Sequence, residues 1–145
     1  MSKISIYLNF NRTTEAAFRF YETVFGTKII GEIARIGDVP SQDGMPPLPD
    51  AEKNLVMHVA LPILGGVQLM GTDILESMGH VLKPGNNVYI NLQPDTRAET
   101  EKLFNALAEN GKVEMPLQEM FWGAYFGSLT DKFGTNWMFN CEEKK

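Results

Sequence analysis

Few residues in this 145-residue chain are equipped for chemistry, since it holds only two histidines and one cysteine. His58 stands in a β-rich segment, and Gln68 follows on the segment that turns back beside it. Imidazole is the side chain best matched to proton transfer near neutral pH. With Gln68 and a carboxylate such as Glu119, His58 could form a weak metal site; His58 or Glu119 could also serve alone as a general base. The plainer reading of His58 is a hydrogen-bonded core or cavity histidine. His80, in a Gly-containing loop, reads as solvent-exposed. Cys141 has no histidine near it in sequence and reads as a semi-buried strand residue rather than a nucleophile.

A second set of candidates comes in duplicate. Tyr7-Leu8-Asn9-Phe10 is answered by Tyr89-Ile90-Asn91-Leu92. Tyr and Asn facing a cavity supply hydrogen bonds and stacking to a small ligand; the competing reading is a polar inter-strand network or a solvated face. Trp122, beside Glu119, Met120 and Phe121, could wall a pocket or stack on a flat ligand, or pack in the core or a dimer contact. Trp137 has the parity of a core residue. The ligand-binding candidates are therefore Tyr7, Asn9, His58, Gln68, Tyr89, Asn91 and Trp122.

The elements that must position these residues also repeat. Residues 4–10 alternate, with Ile4, Ile6, Leu8 and Phe10 on one face and Ser5, Tyr7 and Asn9 on the other, which predicts a strand. Thr13 or Thr14 can cap a helix from Glu15, with Ala17, Phe18, Phe20, Tyr21, Val24 and Phe25 as its apolar stripe and Gly26 as its stop. Residues 27–36, rich in β-branched side chains, predict a strand. Residues 54–62 and 67–71 predict a hairpin around Leu64-Gly65-Gly66. The second half repeats the order: a strand over 87–93, a helix capped by Thr96 or Asp95 with Ala98, Leu103, Ala106 and Leu107 inward and Gly111 at its end, a short strand over 112–116, and a hairpin of 124–130 and 136–141. The expected fold class is α+β, two βαβββ modules in tandem (residues 1–72 and 87–142, joined by loop 73–86) within one domain, with curled mixed sheets around a cleft. The first half has extra residues in the span 37–53, where Pro40, Pro46, Pro47 and Pro49 oppose regular structure and favour a binding loop, a partner contact or a mobile surface loop.

Bulk properties narrow the partners. A formal charge of -5 disfavours a nucleic-acid backbone. No apolar run approaches the roughly 20 residues of a membrane helix. The N-terminus lacks a signal-peptide pattern, and a lone cysteine cannot form an internal disulfide; both favour the cytoplasm.

The paired modules resemble the vicinal oxygen chelate superfamily, which includes glyoxalase I, extradiol dioxygenases, and the fosfomycin and bleomycin resistance proteins. Phe121-Trp122-Gly123, Gly127 and Thr130-Asp131-Lys132-Phe133-Gly134-Thr135-Asn136-Trp137 resemble its PhnB-like branch, as do Tyr7-Leu8-x-Phe10, Glu15-Ala16 and Phe20-Tyr21 with Phe25-Gly26. That branch has carried a phosphonate-related name and a demethylubiquinone methyltransferase name. No Gly-x-Gly-x-Gly loop between strand and helix is present to bind a methyl-donor nucleotide. Metal-dependent relatives place ligands on the inner face of the first and last strand of each module. Carried onto this chain, those positions are Ser5 and Asn87, and, within about one residue, Leu69 and Met138. None is a competent ligand for Zn, Ni, Mn or Fe, so neither metal nor cofactor is expected. The resemblance implies a homodimer. The expected function is binding of a small-molecule ligand in the inter-module cleft without a metal. The alternatives are a metal-dependent or acid/base lyase or isomerase, and a protein acting through dimerisation or through its Pro-rich loop.

Overall fold

The computed structural model describes residues 2–40, 44 and 47–144. The chain divides into two compact units, Met1–Lys83 and Pro84–Lys145, and the fold class is α+β, as the sequence predicts. Each unit holds one four-stranded mixed sheet and one long helix.

In the first unit, β1 (Ile6–Phe10), α1 (Thr14–Phe25), β2 (Ala34–Arg35), β3 (Val56–Pro62) and β4 (Gln68–Asp73) follow in order. The sheet runs β1-β4-β3-β2, with β1 parallel to β4 and the other pairs antiparallel. Ala17, Phe18, Tyr21 and Val24 bury the apolar stripe of α1 against Val59, Leu61 and Leu69. Gly71 permits this approach: a Cβ there would stand 2.6 Å from Phe18 Cε1.

Three local expectations are corrected. Neither Thr13 nor Thr14 caps α1 in the expected way. Thr13 is the N-cap but accepts no side-chain bond. The buried Asp73 does the work from 59 positions away: its Oδ1 accepts from Thr14 N (3.1 Å) and Thr14 Oγ1 (2.7 Å), and its Oδ2 from Val56 N (2.8 Å). Second, the strand predicted over 27–36 shrinks to Ala34–Arg35. Gly31 adopts φ 64°, which breaks the extended run, and Ile29 N donates to the Glu22 carboxylate of α1 (2.8 Å). Third, the expected connector 73–86 begins inside β4, and its following turn is tied back. Ile74 N donates to Phe10 O (2.8 Å), and Ser77 N and Oγ donate to the buried Glu52. The Pro-rich span is therefore partly ordered, with short 3-10 turns at Ile36–Asp38 and Asp50–Glu52. Residues 41–43, 45 and 46 of that span lie outside the described residues.

The Glu22 tether gives a pH prediction. Its carboxylate accepts from Ile29 N and from Arg19 Nη1 (3.1 Å), and the backbone N–H first, then the guanidinium, hold it below the usual carboxylate range. A lowered folded pKa contributes stability above the unfolded value and loses it as pH falls through the folded one. Glu22→Gln should cost about 1 kcal/mol at pH 7 and flatten the acid limb of a urea-midpoint profile; an unchanged acid limb would contradict it.

In the second unit, β5 (Ile90–Leu92), α2 (Arg97–Ala108), β6 (Lys112–Glu119), β7 (Tyr125–Thr130) and β8 (Asn136–Cys141) repeat the order. The sheet runs β5-β8-β7-β6, with β5 parallel to β8. Thr96 caps α2 by accepting from Glu99 N (3.1 Å). Thr100, Leu103, Phe104 and Leu107 are buried, together with Trp137, Phe139 and Cys141 from the sheet. Cys141 is fully rather than partly buried.

Here too the sequence reading needs correction. Ala98 is exposed, and Thr100 takes the inward place. The helix stops at Ala108, and Asn110, not Gly111, adopts the left-handed backbone (φ 58°). Gly111 is required for a different reason: a Cβ there would lie 2.5 Å from Thr130 O. β5 is three residues long, so Asn87 and Tyr89 precede it. β6 reaches Glu119 but is irregular. Val113 faces Leu129 and Met115 faces Ser128, which leaves Glu114 as an extra residue; a second shift lies between Met115 and Gln118, around Pro116.

Candidate functional site

Strand pairing decides which residues share a face. In the first unit Leu61↔Leu69 lies under α1, while Tyr7↔Met70, Asn9↔Thr72, Pro62↔Gln68 and Ala34↔His58 fall on the open face. Tyr7, Asn9, His58 and Gln68 are thus brought onto one surface. Tyr7 Oη and His58 Nδ1 are 3.2 Å apart, with ring centroids 5.8 Å apart. With the ring proton on Nε2, the phenol donates to Nδ1 and Nε2–H points away as a free donor. The side chains of Asn9 and Gln68 make no hydrogen bond to another described residue, so their amides are available to a ligand. His80, by contrast, is exposed, and its Nδ1 accepts from Leu75 N (3.2 Å).

In the second unit Ile90↔Trp137 and Leu92↔Phe139 face the helix, and Asn91↔Met138 faces the open side with Ser128, Asn140 and Phe126. Asn136 is spent on structure: its Nδ2 donates to Gly85 O (2.7 Å) and Val88 O (3.3 Å), and its Oδ1 accepts from Thr130 Oγ1 (2.9 Å). Trp122, in the β6–β7 loop, is half-exposed and meets Phe126 edge-on at 6.2 Å, with the exposed Phe121 at 4.9 Å. It lines a cavity of about 270 Å³ with Gly123, Ala124, Glu142 and Lys144. Trp122 therefore belongs to the rim of the open face and not to the core. Trp137 is fully buried, with Nε1 donating to Asp131 Oδ2 (2.9 Å).

Tyr89 reaches across this sheet. β5 and β6 are its two edges, yet Tyr89 Oη, just before β5, donates to Glu114 Oε1 on β6 (2.8 Å). That bond spans β8 and β7, so the open face of this sheet is concave. The bulge at Glu114 turns its side chain toward Tyr89. Bonding to the carboxylate raises the Tyr89 phenol above its ordinary pKa. Glu114 was not among the sequence candidates; alternation breaks at a bulge, so parity could not have found it.

Glu119 is separated from these groups. It pairs with Tyr125, whose partner is the buried Cys141, so it lies on the helix side. There the Arg97 guanidinium binds Glu119 Oε1 (3.2 Å) and lies over the Tyr125 ring at 4.7 Å.

The family metal positions do not suit a metal. Ser5 and Asn87 precede their strands, and Leu69 faces α1. The open-face positions on the last strands are instead Gln68, Met70 and Thr72, and Asn136, Met138 and Asn140. These offer neutral amide, hydroxyl and thioether groups, a poor set for a divalent ion. Among the described residues no three His, Cys, Asp or Glu side chains converge.

Residues 2–139 match the family described as 3-demethylubiquinone-9 3-methyltransferase. The chain belongs to that family. Protein YjdN of Escherichia coli K12 is 31% identical, with 98% of this chain and 97% of YjdN covered. The crystal structure of PA1353 from Pseudomonas aeruginosa is 37% identical, covers 98% of each chain and superposes with a TM-score of 0.82. A Bacillus cereus structure titled putative 3-demethylubiquinone-9 3-methyltransferase, PhnB protein, is 24% identical over 97% of this chain and 99% of its own, with a TM-score of 0.73. A Burkholderia phytofirmans structure of the glyoxalase/bleomycin resistance/dioxygenase family, 18% identical over 94% of this chain and 97% of its own, shares the fold at a TM-score of 0.61. The chain thus shares the fold of the glyoxalase/bleomycin resistance/dioxygenase structure and of the PhnB protein structure. The methyltransferase description is not matched by a nucleotide loop, because both strand–helix junctions, Asn11-Arg12-Thr13 and Gln93-Pro94-Asp95-Thr96, lack glycine. No described helix is long and apolar enough to cross a membrane.

Proposed function

We propose that this protein binds a small molecule on the open faces of its sheets without a metal ion. The Tyr7–His58 bond carries the reading. It holds an imidazole donor on the same face as the unspent amides of Asn9 and Gln68, a face with a neutral donor set. Such a face recognises a ligand by directional hydrogen bonds, and removing one partner costs about 1 kcal/mol or more. A second reading uses the other tautomer of the same pair: with the ring proton on Nδ1 donated to the Tyr7 hydroxyl, Nε2 keeps a free lone pair and can act as a general base in a lyase or isomerase reaction. A homodimer and a cytoplasmic setting complete the proposal.

Two measurements test it. A thermal-shift screen of small molecules should give at least one stabilising ligand whose Kd rises about tenfold in Tyr7→Phe or Gln68→Ala. Titration of the purified protein with Ni, Zn and Mn should show no stoichiometric, tightly held ion; a tight site liganded by His58 would sink the metal-independent reading. Turnover of the ligand that is abolished in His58→Gln would favour the general-base reading instead.

A further inference from the structure

The second unit's concave face has two unlike ends, and this deepens the proposed binding function, on which it rests. One end is aromatic: Phe126 on the floor, with Trp122 standing against its edge and the oppositely charged pair Glu142 and Lys144 lining the cavity beside it. The other end is anionic, where the bulge turns Glu114 toward Tyr89. Between them the floor is Ser128, Met138, Asn91 and Asn140, with no charged side chain. Glu114 lies between the positions that pair with Leu129 and Ser128, about 7–10 Å along β7 from Phe126 at the rise of a strand.

Glu114 is half engaged. Oε1 accepts the Tyr89 hydroxyl, whereas Oε2 has no hydrogen bond and the carboxylate no ion pair among the described residues. Tyr89 fixes the carboxylate without neutralising it, because a phenol contributes a dipole and not a charge. A fixed carboxylate with one free oxygen favours an ammonium or amidinium group, through a charge-assisted hydrogen bond.

We infer that this face takes an elongated, flat aromatic ligand bearing a cationic nitrogen, with its rings against Trp122 and Phe126 and its cation on Glu114 Oε2. Tyr89 is a positioning residue that aims the carboxylate.

Three matched probes of the right length test this: 4-phenylbenzylamine, 4-phenylbenzyl alcohol and biphenyl-4-carboxylate. Binding is read by quenching of Trp122 fluorescence, since Trp137 is buried, with Trp122→Phe as the control. The amine should bind about five- to tenfold tighter than the alcohol, and the carboxylate weakest. Glu114→Gln, an exposed edge change that leaves the circular dichroism spectrum unaltered, should erase the amine's advantage and spare the alcohol. Tyr89→Phe should weaken that advantage without removing it. Equal affinity for amine and alcohol, or an advantage that survives Glu114→Gln, overturns this inference while leaving small-molecule binding intact. Failure of all three probes, with ligands from the thermal-shift screen still binding, overturns it too. If those ligands also fail, the binding function falls with it.

Discussion

Asp131→Ala should destabilise the protein by about 3–5 kcal/mol. The carboxylate is buried and accepts three protein donors: Phe133 N (2.8 Å), Thr135 N (3.0 Å) and the Trp137 indole (2.9 Å). Removing it strands those donors, each at about 1–3 kcal/mol, with water able to reach only part of the turn. Urea unfolding followed by Trp fluorescence is the measurement, and Asp131→Asn, which retains one acceptor oxygen, should lose less. A midpoint within experimental error of the parent would refute the account. The consequence reaches beyond stability. Thr130-Asp131-x-Phe133-Gly134-x-x-Trp137 is explained as a device that turns the last hairpin and anchors the core indole, without invoking catalysis.

Asp73→Ala is expected to be nearly as costly, at about 3–4 kcal/mol, for a related reason. One carboxylate caps α1 through Thr14 N and Oγ1 and at the same time holds Val56 N at the start of β3. A lost cap costs about 1 kcal/mol, and the orphaned, buried Val56 N–H adds its own penalty. Thr13→Ala, at the formal N-cap position, should cost less than about 0.5 kcal/mol, because Thr13 makes no cap bond. Hydrogen exchange separates the two variants. Asp73→Ala should expose the first turn of α1 and the Val56 amide, and Thr13→Ala should not. Equal effects from both would show that the cap is local after all.

These two aspartates show where sequence reading works and where it stops. The duplicated modules, the two helices and the last hairpin follow from periodicity, and Tyr7, Asn9, His58 and Gln68 share a face because alternation is reliable within β1, β3 and β4. The misses have long-range causes. Asp73 lies 59 positions from the residue it caps, and local rules favour the nearer Thr13 or Thr14. The 27–36 segment has strand propensity, but Glu22 takes its amide at Ile29 and Gly31 bends it. Glu114 was invisible because a bulge changes parity, and Glu119 looked available until its face and its Arg97 partner were known.

The irregularity of β6 has one more consequence, for how copies of this chain meet. β6 is an outer strand with a single neighbour in its sheet, eight residues long and almost wholly exposed. A straight edge of that length is a template on which a second chain can lay a strand, the first step of polymerisation. Pro116 removes one amide from the row, and the two register shifts break its spacing. The kink that turns Glu114 inward therefore also blunts the edge against strand addition by a second chain.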